Sequence, residues 1–129
     1  LMTEGTKVPI CLFVPVKNEE ANLDRCLQSI SWVDEIFVVD SQSTDRTTKI
    51  ALEHGATVVQ FEYKGGWPKK KNWALENLPF SHEWVLILDA DECLPPEAED
   101  EIRMIVSNPN KKHSGYWINS AGISFFGKP

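Results

Sequence analysis

The sequence has no apolar run approaching the roughly 20 residues a bilayer-spanning helix requires, so no transmembrane segment is expected. No signal peptide is expected either: Thr3–Lys7 is polar, and the apolar run Ile10–Val14 is too short for the core of one. Cysteine is scarce. Three residues in 129 (Cys11, Cys26 and Cys93) lie apart without Cys-x-x-Cys spacing. This argues against a disulfide framework or a zinc site and points to thiols kept reduced, as in the cytoplasm. Basic excess is also missing, and a net charge of −6 argues against a general nucleic-acid binder. Neither a repeat nor a low-complexity tract is present. What remains is 42% hydrophobic, enough for one modest core.

That apolar content comes in short runs. Pro9–Val16 (PICLFVPV), Glu35–Asp40 (EIFVVD) and Val85–Leu88 (VLIL) read as strands buried on both faces, with the first stopping at Pro15. Thr57–Phe61 (TVVQF) is shorter and more alternating, as expected nearer a sheet edge. Gly115–Phe126 reads as a further strand or a hairpin. Between the strands lie helical patterns. Ala21–Ile30 carries Leu23, Cys26, Leu27 and Ile30 on one side, with Asn18 as a candidate cap. A second helix starting at Ser43 or Thr44 carries Ile50, Ala51 and Leu52 and stops at Gly55. A third runs from Pro68 to about Leu78, and a fourth spans Glu97–Val106 behind two prolines. Strand and helix alternate, which implies an α/β fold: a doubly wound, mostly parallel sheet with helices on both faces.

In such sheets ligands sit beyond the carboxyl ends of the strands, and there the sequence collects polar groups. Asp89, Asp91 and Glu92 follow the run VLIL directly, and neighbouring carboxylates suit a hard divalent cation. The alternative is an acidic loop capping the next helix. Asp40 ends its strand where a carboxylate can accept hydrogen bonds from a base N–H or sugar hydroxyls, or else cap its own turn. Asp45 reads as a first-turn helix residue. The turn after the first strand, Lys17-Asn18-Glu19-Glu20, has no glycine and two acids. A P-loop or dinucleotide fingerprint therefore fails there, although the turn can present groups to a base or ribose. Lys69-Lys70-Lys71 opens a helix against the helix dipole, an arrangement that suits a docked diphosphate; the alternative is a solvated basic patch. Only one or two of the three can face a site. His54, His82 and His113 have no neighbours at metal-ligand spacing. Trp32, Trp84 and Trp117 read as packing residues; Trp67 and Trp73 beside the lysines read the same way, the alternative being the lining of a sugar or lipid site.

Four segments in this order resemble glycosyltransferase family 2, the inverting transferases with a GT-A fold. They are Val14–Glu20 (VPVKNEE), Ile36–Asp45 (IFVVDSQSTD), Lys71–Leu75 (KNWAL) and Leu88–Glu92 (LDADE), and they cover roughly Val8 to Ile105. The strings Gly65–Leu75 and Glu83–Glu92 are further similar to bacterial transferases that add a hexose, often glucose, to the inner core of lipopolysaccharide. The resemblance implies a metal-dependent transfer of a hexose from a UDP-sugar to a glycan or lipid-linked saccharide, in the cytoplasm or at the inner face of the membrane. It implies Asp91 as the direct ligand of Mn2+ or Mg2+, and Asp89 at the ribose or donor sugar and beside the metal. Pro15, Lys17 and Glu19 would surround the base, Asp40 would lie near base or ribose, and Lys71 near the diphosphate. Ser41 departs from the family, in which many members carry a second Asp at that place.

The resemblance further implies that residues 1–129 form the nucleotide-sugar-binding part, with the acceptor half and the general base beyond Pro129. Inverting transfer needs such a base within reach of the acceptor hydroxyl. Two rivals stand beside this reading. One is a nucleotide-sugar- or protein-binding module without catalysis. The other is a Mg2+-dependent phosphohydrolase with Asp89 as nucleophile, although such motifs usually follow the first strand of a domain.

Overall fold

In the computed structural model, residues 7–62, 69–108, 115–118 and 123–127 are described. Strand β1 (Val8–Val16) is the axis of the sheet, and its side chains alternate between two cores. Val8, Ile10, Leu12, Val14 and Val16 join one cluster. Helices α1 (Leu23–Gln28), α2 (Thr47–Glu53) and α4 (Pro96–Ser107) cover it through Leu23, Cys26, Leu27, Ala51, Ala98, Ile102 and Ile105. Cys11 and Phe13 point the other way, toward Ala74 of α3 (Lys70–Asn77) and toward Leu78 and Phe80. Both faces are covered, which is why PICLFVPV has no polar interruption.

The other strands are β2 (Val33–Asp40), β3 (Thr57–Gln60), β4 (Trp84–Ile87), β5 (Gly115–Ile118) and β6 (Ile123–Gly127). The sheet has six strands in the order β3-β2-β1-β4-β6-β5. The first four are parallel. β6 runs antiparallel to β4 and β5 antiparallel to β6, so the segment Gly115–Phe126 forms the hairpin rather than one strand. β3 lies at the edge, as its alternation suggested. The chain direction across the sheet reverses between β1 and β4, and this is where a doubly wound sheet opens a crevice at its carboxyl edge.

Local chemistry accounts for the ends of these elements. β1 continues one residue past Pro15. The Phe13 carbonyl accepts from Leu88 N on the β4 side. Pro15, two residues on, turns its missing N–H to the same side, where β4 has already ended. α2 closes in a Schellman turn: Gly55 (φ +77°) donates to Leu52 O, and Ala56 N donates to Ala51 O. α4 starts at Pro96 with Glu97 and Glu99 in its first turn, favourable for the helix dipole. Asn18 does not cap α1; the N-cap position is Asn22, and the Glu19 carbonyl accepts from Asn22 N and Leu23 N. α2 begins at Thr47, later than Ser43 or Thr44, because those residues are engaged in the turn described below. Pro68, Trp67 and His113 lie outside the described residues. Among the described residues no helix is long and apolar enough to cross a membrane.

Candidate active site

Four strand tips deliver the polar residues to one edge. The turns after β1 and β2 are joined by reciprocal hydrogen bonds. Asn18 N donates to Ser43 Oγ at 2.8 Å, and Thr44 N donates to Asn18 Oδ1 at 2.8 Å. Glu19 N donates to Thr47 Oγ1 at 2.8 Å, and Glu20 N to Asp45 Oδ2 at 3.2 Å. Asn18 takes φ +49° to make its two bonds, a conformation Asn tolerates better than most residues. Lys17 reaches across as well, its ammonium donating to the carbonyls of Ser41 (2.8 Å) and Gln42 (3.2 Å). Burial works against the charge of Asp45, yet bonds from Thr47 and Glu20 hold its carboxyl below the usual range. Asp45 is thus a clamp between the two turns.

Asp40 is fully buried. Its carboxylate accepts from Ser43 N (3.1 Å), Ser43 Oγ (2.5 Å) and Gln60 Nε2 (2.8 Å). Of the two roles open to it, the cap on its own turn is the one this geometry presents. A ligand would reach those oxygens only by displacing Ser43 or Gln60.

Beside this wall is an open cleft of about 360 Å³, lined among the described residues by Ser41, Phe61, Lys69 and Lys70. Phe61 packs on Trp73 of α3 with ring centroids 5.3 Å apart, so Trp73 supports the cleft from within. Lys70 sits at the start of α3, where backbone N–H groups have no helical partners and the helix dipole is positive. Its Nζ donates to Val16 O at 2.5 Å. Burial lowers its pKa to about 8; Asp40 opposes that shift and Lys17 reinforces it. Lys70 is therefore tied to a strand tip, while Lys69 lies exposed at the cleft. Lys71 belongs to α3, and its side chain lies outside the described residues. The periodicity of the sequence left the phase of the cluster open, since neighbouring helical residues diverge by about 100°, and Lys71 was singled out by the resemblance alone.

On the other side of β1, after β4, stand Asp89, Asp91 and Glu92. One carboxylate oxygen from each lies within 4.8 Å of the others. The turn is closed by Asp89 N donating to Glu92 Oε1 (3.0 Å) and Glu92 N donating to Asp89 O (2.9 Å). Asp89 and Asp91 are exposed and Glu92 half-buried. An all-carboxylate donor set at this spacing fits a hard divalent cation, whose oxygen ligands stand about 2.0–2.6 Å from the ion. Beneath the turn, Cys26 Sγ approaches Asp89 O at 3.8 Å. Burial pushes its thiol up to about 12, with Cys93 and the three carboxylates adding to the shift, so Cys26 serves as packing.

Among the described residues, His54 and His82 stand apart from this edge. His54 pairs with Asp24 and His82 with Asp34, each at 2.7 Å.

A family model, "Glycosyl transferase family 2", matches residues 11–113. The chain belongs to that family. Among curated relatives, an uncharacterized glycosyltransferase of Rickettsia bellii is 39% identical over 111 residues, covering 85% of this chain and 37% of the relative. The lipopolysaccharide core biosynthesis glycosyltransferase LpsC of Rhizobium meliloti is 36% identical over 92 residues, covering 68% of this chain and 33% of LpsC. This family 2 chain thus spans about a third of the length of these two relatives. Among solved structures, it is similar to the glucosyl-3-phosphoglycerate synthase of Mycobacterium tuberculosis in complex with Mn2+, UDP and glucosyl-3-phosphoglycerate. That match has a TM-score of 0.58 and 26% identity, covering 81% of this chain and 41% of the synthase. The sheet, with four parallel strands and helices on both faces, is the GT-A type expected from the sequence.

Proposed function

We propose that this family 2 chain binds the donor in an inverting hexosyl transfer, in which a UDP-sugar, read as UDP-glucose, passes its sugar to a glycan or lipid-linked saccharide of the lipopolysaccharide-core class. The observation that carries this reading is the placement of an acidic triad and a lysine-bearing helix start on either side of the tip of β1. The M. tuberculosis synthase holds Mn2+ and UDP together, which supports a nucleotide diphosphate and a divalent cation here. LpsC supports the acceptor class. Three free thiols suit a cytoplasmic reaction, and a lipid-linked acceptor would bring it to the inner membrane face.

Asp91 and Asp89 would hold Mn2+ or Mg2+, with Glu92 closing the turn. When bound, the cation supplies positive charge against the departing diphosphate. The chain's own residues do the rest. The first N–H groups of α3 and the Lys70 ammonium face the diphosphate, and Lys71 on the same turn is a second candidate. Pro15, Glu19 and the turn that Lys17 and Asp40 hold in place frame the nucleoside. An acceptor hydroxyl attacks the anomeric carbon from the face opposite the leaving diphosphate, which inverts the centre. No residue of this chain is assigned as the general base.

Calorimetric titration with UDP, GDP, ADP and CMP, each with and without Mn2+, tests the reading. UDP should bind best and only weakly without the metal. Equal binding of all four, or binding indifferent to Mn2+, would overturn it.

A further inference from the structure

We propose that Gln60 is a positioning residue for the donor cleft, its side-chain amide holding the Ser41–Ser43 turn in the shape that walls the cleft. The proposal rests on the reading of the cleft as a nucleotide-sugar site. Gln60 is the last residue of the edge strand β3, paired in register with Asp40. Its Nε2 donates to Asp40 Oδ2 at 2.8 Å, while its Oε1 accepts from Gln42 N at 3.2 Å and Gln42 Nε2 at 3.3 Å. One amide therefore grips the turn at two points, by the buried carboxylate at its base and by the backbone N–H at its crest.

The turn needs such a grip. Gln42 stands at φ +50°, a left-handed conformation that a residue with a side chain enters only when its surroundings hold it there. Ser41 is the member of this turn that lines the cleft. Its backbone is already committed, the N–H to Val16 O and the carbonyl to Lys17 Nζ. The Gln60 amide adds a third hold on the turn one residue on, at Gln42 N. A side-chain amide donates to a carboxylate and accepts from an N–H at once whatever the pH. An ionised glutamate keeps the second bond and turns the first into a repulsion. Gln60 is itself exposed, so its bonds are not forced by burial.

The test uses Gln60→Glu and Gln60→Ala, with UDP in the presence of Mn2+ as the probe, at pH 7 and at about pH 5.5. Asp40, Lys17 and Lys70 are the charged groups around the pair, and each variant is compared with the parent at the same pH to cancel their effects. Gln60→Glu should weaken UDP binding about tenfold or more at pH 7 and recover part of it at the lower pH, where the Asp40 charge beside it favours a protonated carboxyl that can again donate. Gln60→Ala should be weakened at both pH values without recovery. Parent-like binding by either variant at pH 7, or a Gln60→Glu loss that ignores pH, would overturn the proposal. Amide resonances of Gln42 and Ser43 give a readout independent of ligand. They should shift in Gln60→Glu at pH 7 and return toward the parent's as the pH falls, and resonances unmoved at both pH values would overturn the proposal even with no ligand present. A parent that ignores UDP sinks the donor reading alone, since those resonances still decide the role of Gln60.

Discussion

Lys70 Nζ lies 2.5 Å from the carbonyl oxygen of Val16, tying the first turn of α3 to the last residue of β1. Val16 O also accepts from Ser41 N, so this one carbonyl joins the cleft wall, the central strand and the lysine helix. The ammonium is half-buried there beside a second cation, Lys17, which is why its proton is held less firmly than usual.

Lys70→Met separates binding from stability. It removes a half-buried charge whose carbonyl partner keeps a second donor, so the melting temperature below pH 8 should stay level or rise. UDP affinity should fall about tenfold, the loss of one charge-assisted contact. In the parent, the pKa of about 8 predicts anion binding that weakens as pH rises through that value. Lys70→Met should lack this step. A thermal melt and a titration series from pH 7 to about pH 9 check both arms.

Asp91→Ala should abolish the metal dependence of UDP binding. Removing one of three carboxylates from the triad should cost at least about tenfold in Mn2+ affinity, since even residues behind the ligands are worth that much. Binding of UDP and Mn2+ by Asp91→Ala with the parent's affinity would remove Asp91 from the metal site.

Glu35 links three elements away from the site, accepting from Cys11 Sγ (2.9 Å), Ser81 N (2.9 Å) and Ser81 Oγ (2.7 Å). Burial opposes its charge, but the bonds from Cys11 and Ser81 and the proximity of His82 outweigh that and lower its pKa from 4.5. A carboxyl depressed in the folded state contributes stability above its unfolded pKa and loses it as pH falls through the folded one. Glu35→Gln should therefore lower stability at neutral pH and flatten the acid limb below about pH 4.5, as read from urea unfolding at several pH values.

Gly55→Ala isolates a backbone cost. A Cβ added there meets nothing within 4 Å, so crowding plays no part. Holding a non-glycine residue at φ +77° should cost about 1–2 kcal/mol and lower the unfolding midpoint with m unchanged.

Strand interiors and the end of the sheet that carries the site were legible in the sequence. EIFVVD and VLILD place apolar residues without interruption and then an acid, and such a run is stable only when both faces are covered and its acid either meets solvent, as Asp89 does, or is hydrogen-bonded, as buried Asp40 is. The stop at Gly55 was legible for the same kind of reason, since a left-handed C-cap is a property of one residue. The occupants of the hydrogen bonds at that edge were decided by tertiary structure. Asp40 looked like a ligand contact or a cap until Ser43 and a glutamine twenty positions away took its oxygens. The resemblance placed Lys17 near the base, and the hold of its ammonium on two carbonyls of the neighbouring turn came only with the fold. The resemblance pointed to Lys71, while the contact of Lys70 with Val16 O came only with the packing of α3 against the strand tips. Hydrophobic periodicity is written along the chain, whereas the partner of a polar group depends on which distant turn arrives within about 3 Å of it.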